Sequence, residues 1–486
     1  MKARRLLILT ATSLLAMTAC GGKGGGNSTP IEGDFVIKEP TSITIWTTYN
    51  DTYQTVLNNC IEEFKKIEPN VTITNTKQQG SYNDLAKMVT DGFAVDNYPD
   101  MCAAYPDAAN DFILNFKSLD MTPYMTDPLI GWTEEDLNDI PEAYIALGQN
   151  YAIPGTYSLP ASKSTEAMYY NQDVLLNLDL SAIDPTINNG RPLNDKYFQN
   201  MTWEELFEKL VPALDLYDQA QDASHKIIDR NSFSDWAWVG YDSDDNLFIT
   251  LAEQYGYGYT SINPNTGAGS IDFDNVGMKN LMKKFVGYQK NHYFTTKGVI
   301  KTNVNYRSTV DAMLFSIGST GGVKYQFADA TAHNVGVAMI PQPASGNKKV
   351  ISQGPDFAFL DHGNENRAKA TWLFFKLFTS TKYNSAWALA SGYSPIRYSV
   401  MESEDYAEYA DVDAKDPHTI DRLYALNAVY AASVGEYAFS SPVFKGSAEA
   451  RIQVGSIFAS CVAATNLDNE IDKIFSDAVD NTRLKM

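Results

Sequence analysis

The densest run of side chains able to do chemistry is Asp242-Ser243-Asp244-Asp245-Asn246, with Glu253 at the twelfth position counted from Asp242. Oxygen ligands at alternate positions and a carboxylate at the twelfth are the spacing of a calcium loop, which also needs glycine at its sixth position for a sharp turn. Leu247 stands there, and Phe248 to Ala252 reads as the apolar start of a helix, so calcium is not expected. Covalent catalysis has no better foothold: no Gly-x-Ser-x-Gly elbow, Walker loop or His-Glu-x-x-His pair occurs. Two carboxylates could make a glycosidase, but with 59 Asp and Glu residues no pair is singled out. The five histidines and four cysteines show no metal-ligand spacing. Binding chemistry is better supplied. The 29 tyrosines and 7 tryptophans offer flat apolar faces with a polar edge, chemistry suited to holding a small ligand, although the count alone singles out no site.

Such side chains converge only if regular elements bring them together. Ser42-Ile43-Thr44-Ile45-Trp46 alternates polar and apolar residues, as a strand does. Val56, Leu57, Cys60, Ile61, Phe64 and Ile67 keep helical spacing until Pro69 and Asn70 stop them. Val71 to Thr74 is a second strand, Ser81 caps a helix reaching Phe93, and Met101 to Ala104 is a buried third strand. Strand, helix, strand, helix, strand predicts a parallel α/β sheet with right-handed connections. The texture returns later. Thr202 is a helix cap with Glu205 at the capping-box position. Asn334 to Pro341 and Phe357 to Leu360 are strands, and Asn366 to Phe378 is a helix.

The start of the chain has a separate logic. Lys2, Arg4 and Arg5 precede an apolar run from Leu6 to Met17, long enough for a signal peptide and too short to span a bilayer. It ends in Leu15-Ala16-Met17-Thr18-Ala19-Cys20, which resembles a bacterial lipobox and implies lipidation of Cys20. Residues 20–40 begin with a Gly-rich stretch that cannot bury apolar surface, a flexible tether with a reach of roughly 25 Å. Some 450 residues then remain, a length suited to two or more domains. Loss of Lys2, Arg4 and Arg5 would take the formal charge from −21 to −24, a balance that argues against nucleic acid and anionic surfaces. Cys60, Cys102 and Cys461 are an odd set, so no complete disulfide framework is expected, and which two could pair is open.

Several ordered segments are similar to the family 1 extracellular solute-binding proteins of ABC importers, which include maltose and glycerol-3-phosphate binders. They are Phe64-Lys65-Lys66-Ile67-Glu68-Pro69-Asn70-Val71, Gly80-Ser81-Tyr82-Asn83-Asp84-Leu85, Ser164-Thr165-Glu166-Ala167-Met168-Tyr169-Tyr170-Asn171, Gly336-Val337-Ala338-Met339-Ile340-Pro341 and Ser391-Gly392-Tyr393-Ser394-Pro395-Ile396-Arg397. The resemblance implies an α/β fold of two lobes, periplasmic-binding-protein-like and of type II, with a hinge and a central ligand cleft that closes on ligand. It divides the chain into a signal peptide at 1–19, a lipidated tether at 20–40, lobe 1 at 41–160 plus 331–382, and lobe 2 at 161–330 plus 383–486. Chain crossings between the lobes are then expected near 160, 330 and 382.

By the same resemblance, and by the rule that ligands sit at the carboxyl ends of strands in open α/β sheets, the expected ligand contacts are Trp46, Tyr82, Asn83, Ser164, Thr165, Asp244, Asp245, Ser319, Thr320, Gly354 and Tyr393. No catalytic residue, cofactor or metal is expected. The glycerol-3-phosphate binder carries a phosphate-gripping arginine after a Phe-x-Lys-Gly segment. Here Phe444-Lys445-Gly446 leads into a shortened stretch, and Arg451 matches a later structural arginine. A neutral carbohydrate is therefore expected over a glycerol phosphate or glycerophosphodiester. The expected partners are that carbohydrate, the importer's permease subunits and, through the lipid, the extracytoplasmic face of the cell membrane. The protein is expected to be monomeric and without nucleic acid. An adhesive lipoprotein and a lipid-anchored glycoside hydrolase are the alternatives.

Overall fold

Two five-stranded sheets organise the chain, each wrapped by helices. The computed structural model describes residues 35–263, 266–304, 312–326 and 333–486. The expected signal peptide, Cys20 and the expected tether up to residue 34 lie outside the described residues. Residues Ile37–Met486 form one compact unit.

The first sheet contains β1 (Thr41–Thr47), β2 (Val71–Lys77), β3 (Met101–Ala104), β4 (Ser158–Pro160) and a strand from late in the chain, β13 (Asp356–Phe359). Its order is β2-β1-β3-β13-β4. The early strands pair parallel, as the strand–helix–strand pattern predicts, while β13 runs antiparallel between β3 and β4. The second sheet has the order β11-β5-β10-β6-β9. It comprises β5 (Glu166–Asn171), β6 (Val239–Tyr241), β9 (Phe294–Thr296), β10 (Phe315–Ser319) and β11 (Val335–Met339). Two short pairs complete the strands: β7 (Thr260–Ile262) with β8 (Gly269–Ile271), and β12 (Val350–Ile351) with β14 (Ala438–Phe439).

Each sheet owns a hydrophobic core. Ile43, Ile45, Leu57, Phe64, Phe112, Phe357 and Trp372 belong to the first lobe's core, and Trp203, Phe207, Trp238, Phe248, Phe285 and Phe475 to the second's. Local chemistry sets the elements. The Asn50 side chain accepts from the N–H groups of Thr52 and Tyr53 and starts the helix Asp51–Ile67, whose Val56, Leu57, Cys60 and Phe64 face inward. Ser81 and Asp84 close a reciprocal capping box on the helix Tyr82–Gly92.

The lobe boundaries depart from those expected at two places. The stretch from 331 was expected in lobe 1, but β11 pairs along its whole length with β5 of the second sheet. The crossing expected near 330 is instead made just before β13, where Gln353 and Ser164 exchange backbone hydrogen bonds of 2.7 and 2.8 Å. The stretch from 383 was expected in lobe 2, yet Tyr383, Trp387, Tyr393 and Ile396 pack into the first lobe's core. The helix Thr381–Ser391 packs against the helix Asp51–Ile67, and sequence alone does not say which lobe its apolar residues meet. The last crossing therefore follows Arg397, whose guanidinium is tied to Asp136 and Asp139 of lobe 1. The helix Ile420–Ser433 then lies against β11.

Candidate functional site

A cavity of about 760 Å³ opens between the lobes, within the size range of small-molecule sites. One wall comes from lobe 1. The chain leaves β1 at Thr47 and meets the cavity at Thr48, Tyr49, Asn50 and Tyr53. Tyr82 and Asn83 open the helix after Ser81, and Tyr105 follows β3. These tyrosines touch edge to face: Tyr49 to Tyr53 at 6.0 Å between ring centres, Tyr49 to Tyr82 at 6.4 Å, and Tyr82 to Tyr105 at 5.4 Å. Tyr393 continues the wall, 5.9 Å from the Tyr53 ring, with its hydroxyl 3.4 Å from that of Tyr82. Burial pushes the phenols of Tyr49, Tyr82 and Tyr393 up from their ordinary pKa, so each keeps its proton and can donate as well as accept.

The opposite wall comes from lobe 2 and is acidic. Asp242 follows β6, and Asp244 and Asp245 begin the helix Asp244–Tyr255. Leu247 is buried inside that helix, so the run Asp242 to Glu253 folds as a helix start and not as a calcium loop. Asp244 accepts from the Thr296 hydroxyl at 2.5 Å and the Gly298 N–H at 2.8 Å. Burial raises its pKa against those two bonds. A side chain on Gly298 would place Cβ 2.5 Å from Asp244 Oδ1, which accounts for glycine there. Burial also pushes Asp242 up to about 6, with Lys297 opposing. Glu166 opens β5 with 0% of its surface exposed. Burial pushes its carboxyl up to about 8, although the Tyr241 hydroxyl donates to it.

Arg451 closes the back of the cavity, on the helix Ser447–Ala463. Its guanidinium donates to Asp107 of lobe 1 at 3.0 Å, and to Asp245 and Asn246 of lobe 2 at 3.0 and 2.9 Å. It also lies over the Tyr105 ring at 5.4 Å. Burial opposes its charge, but Asp107 and Asp245 outweigh that and hold its pKa above the ordinary value. The structural role expected of Arg451 coincides with a place in the cavity wall.

Of the residues expected to touch ligand, Tyr82, Asn83, Ser164, Asp244, Asp245, Ser319, Gly354 and Tyr393 line this one cavity. Trp46, Thr165 and Thr320 do not. β1 runs one residue past Trp46, whose ring packs against the first lobe's core, and the cavity is reached only after the strand ends. Thr165 and Thr320 are buried and bond each other: the Thr165 N–H donates to Thr320 Oγ1 at 3.0 Å, and the Thr320 N–H to the Thr165 carbonyl at 2.8 Å. Tyr49, Tyr53, Tyr105, Glu166 and Asp242 were not anticipated. The strand-end rule carried past the last strand residue would have found Tyr49, two residues after β1, and Tyr105, directly after β3. Glu166 carries no such signal.

Among the described residues no His, Cys, Asp and Glu cluster suits a metal ion, and no helix is long and apolar enough to cross a membrane. The family model for bacterial extracellular solute-binding proteins matches residues 59–414. A search of curated proteins finds no match. Three solved structures are similar. The GacH receptor of Streptomyces glaucescens, solved unliganded and with acarbose, is 14% identical over 91% of this chain and 98% of its own, with a TM-score of 0.66. UgpB from Mycobacterium tuberculosis in complex with glycerophosphocholine has the same identity, coverage and score. The maltose/maltodextrin-binding domain MalE from Bdellovibrio bacteriovorus, bound to maltotriose, is 13% identical over 91% of this chain and 99% of its own, at 0.64. At these identities the likeness is one of fold.

Proposed function

The chain belongs to the bacterial extracellular solute-binding proteins, binding proteins rather than enzymes, and from that premise we propose that it captures a carbohydrate for an ABC importer while anchored to the membrane by lipid on Cys20. The observation that carries the ligand class is the inter-lobe cavity itself, with joined tyrosine rings on one wall and carboxyl and amide groups on the other. Flat rings stack on sugar faces, and the polar groups across the cleft answer hydroxyls. The family resemblance and solved relatives that hold acarbose and maltotriose support the same ligand class. The Cys20 motif supports the anchor.

A phosphorylated ligand fits less well, although one similar structure holds glycerophosphocholine. Arg451 is already shared by two carboxylates. Lys297 is exposed at the rim. A phosphate would meet Glu166, Asp242, Asp244 and Asp245, with no uncommitted buried cation opposite among the described residues. The eight expected contacts that line the cavity are the residues we assign to ligand, joined by Tyr49, Tyr105 and Glu166.

Thermal unfolding of the soluble body, starting near Pro30, with a panel of saccharides, glycerol phosphate and glycerophosphodiesters tests this reading. Ligand at a hundredfold excess over Kd adds about 2.7 kcal/mol to the folded state. A stability increase with a saccharide is expected. A shift with the phosphorylated compounds alone would overturn the ligand class. In cells, Cys20→Ser is expected to move the protein from the membrane fraction to the soluble extracytoplasmic fraction, and unchanged membrane retention would refute the anchor.

A further inference from the structure

A second, smaller chamber adjoins the main cavity at Arg451. Its volume is about 50 Å³, and Tyr105, Gln353, Gly354 and Arg451 line both spaces. One water-sized atom needs roughly 10–15 Å³ of such room, so the chamber takes about three to five heavy atoms. That is too little for a sugar ring and enough for a substituent on one.

The lining says which substituent. Pro106 and Leu147 of lobe 1 and Tyr259, Pro442 and Val443 of lobe 2 give it apolar surface. Ser352 and Ser440 also line it, the first half-buried and the second exposed, and neither hydroxyl has a hydrogen-bond partner among the described residues. The charges at its wall are already matched. Lys163 donates to Asp356 at 2.8 Å, and Arg451 is shared by Asp107 and Asp245. A charged substituent would therefore meet no free counter-charge among the described lining residues. A small uncharged group with an apolar end and one strong acceptor fits. An acetamido group is such a group, and its planar amide holds methyl and carbonyl oxygen in a fixed fork.

Resting on the carbohydrate reading above, we propose that the side chamber is a subsite for the acetamido group of an N-acetylated sugar whose ring lies against Tyr105 in the main cavity. The methyl meets the surface of Leu147, Pro442 and Val443, and the carbonyl oxygen accepts from the Ser352 hydroxyl. Because the lining comes from both lobes, the substituent touches all of it only when the lobes are together, and so favours the closed arrangement.

Titration calorimetry on the full chain in detergent tests this with matched pairs. N-acetylglucosamine, N-acetylgalactosamine and N-acetylmannosamine are set against glucose, galactose and mannose, and chitooligosaccharides against cellooligosaccharides of equal length. Maltooligosaccharides serve as unpaired hydroxyl sugars. At least one acetylated sugar is expected to bind about tenfold tighter than its hydroxyl counterpart, the worth of one buried methyl group and one hydrogen bond. Val443→Phe fills the chamber from lobe 2. It should abolish the preference and leave the hydroxyl counterpart within about threefold. Leu147→Phe fills it from lobe 1 and keeps the test alive if Val443→Phe does not fold. Ser352→Ala should lower affinity for the acetylated member alone. Equal or tighter binding of the hydroxyl counterparts, binding of maltooligosaccharides alone, or a preference that survives both filling variants overturns the subsite and leaves the carbohydrate function standing. Failure of every saccharide in the panel overturns both.

Discussion

Burial of Glu166 bears on stability. Its carboxyl is held at about 8 by burial, while an unfolded glutamate titrates near ~4.3. Between those values the folded chain binds more protons than the unfolded one. Folding stability therefore falls as pH rises through the window, by at most about 1.4 kcal/mol per pH unit for one group. Asp111 and Asp242, each pushed up to about 6 by burial, add to the slope up to about pH 7, so Glu166 dominates between about pH 7 and pH 8. Urea unfolding midpoints of the unliganded protein should decline across that interval, and Glu166→Gln should flatten the decline. An identical slope in both proteins would show that the carboxyl ionises freely in the fold. Residues of this kind are poorly legible in a sequence. Glu166 stands in a strand whose six residues are all buried, with no alternation to mark one position as facing a cleft. Tyr393 and Tyr82 were legible because a turn signature and a cap fix their place along the chain, and the fold then joins them across 311 residues at a 3.4 Å hydroxyl contact.

At the scale of elements, sequence reading succeeds where the deciding interaction is local. Ser81 is a cap because its own side chain and that of Asp84 close the box within one turn. Thr202 caps likewise, accepting from the Glu205 N–H at 3.0 Å. The reciprocal half of that box is absent, since the Glu205 carboxylate takes the Tyr197 hydroxyl at 2.8 Å and Lys209 at 2.9 Å. Both competitors are near in sequence, but neither is part of the capping pattern. β1, β2 and β3 were read within a few residues of their ends, because alternation and buried apolar runs report a sheet environment directly. Assignment of elements to lobes was less legible. β11 has the expected type in the lobe opposite to the one expected, and the helix Thr381–Ser391 likewise packs in the other lobe. Apolar patterning says that a face is buried and is silent about which of two similar cores buries it. The closing turns show the same limit: Gly321 is glycine because a Cβ there would lie 2.4 Å from the Tyr393 ring of the other lobe, a contact no local pattern announces.

At the scale of the molecule, the cleft matters because its two walls belong to bodies joined only through crossing segments and a few contacts. Lobe 1 reaches lobe 2 where the Tyr53 hydroxyl donates to the Gly321 carbonyl at 2.7 Å and where Asp107 accepts from Arg451 at 3.0 Å. The second contact is separable from folding, since Asp245 in lobe 2 still balances the guanidinium when Asp107 is lost. A ligand that binds the closed arrangement has its apparent affinity reduced by the fraction of molecules not yet closed. Removing a buried inter-lobe ion pair while its cation keeps another partner should cost closure about 1–3 kcal/mol, or roughly 5–150-fold in affinity. Asp107→Ala is thus expected to unfold near the wild-type temperature without ligand, to scatter X-rays with a larger radius of gyration, and to bind the saccharide more weakly. The main loss should appear as faster dissociation, because the lost contact holds the lobes together around the bound ligand. An unchanged radius of gyration together with unchanged affinity would mean that Arg451 serves only to order the lobe 2 wall, and that closure depends on the tyrosine contacts around Gly321.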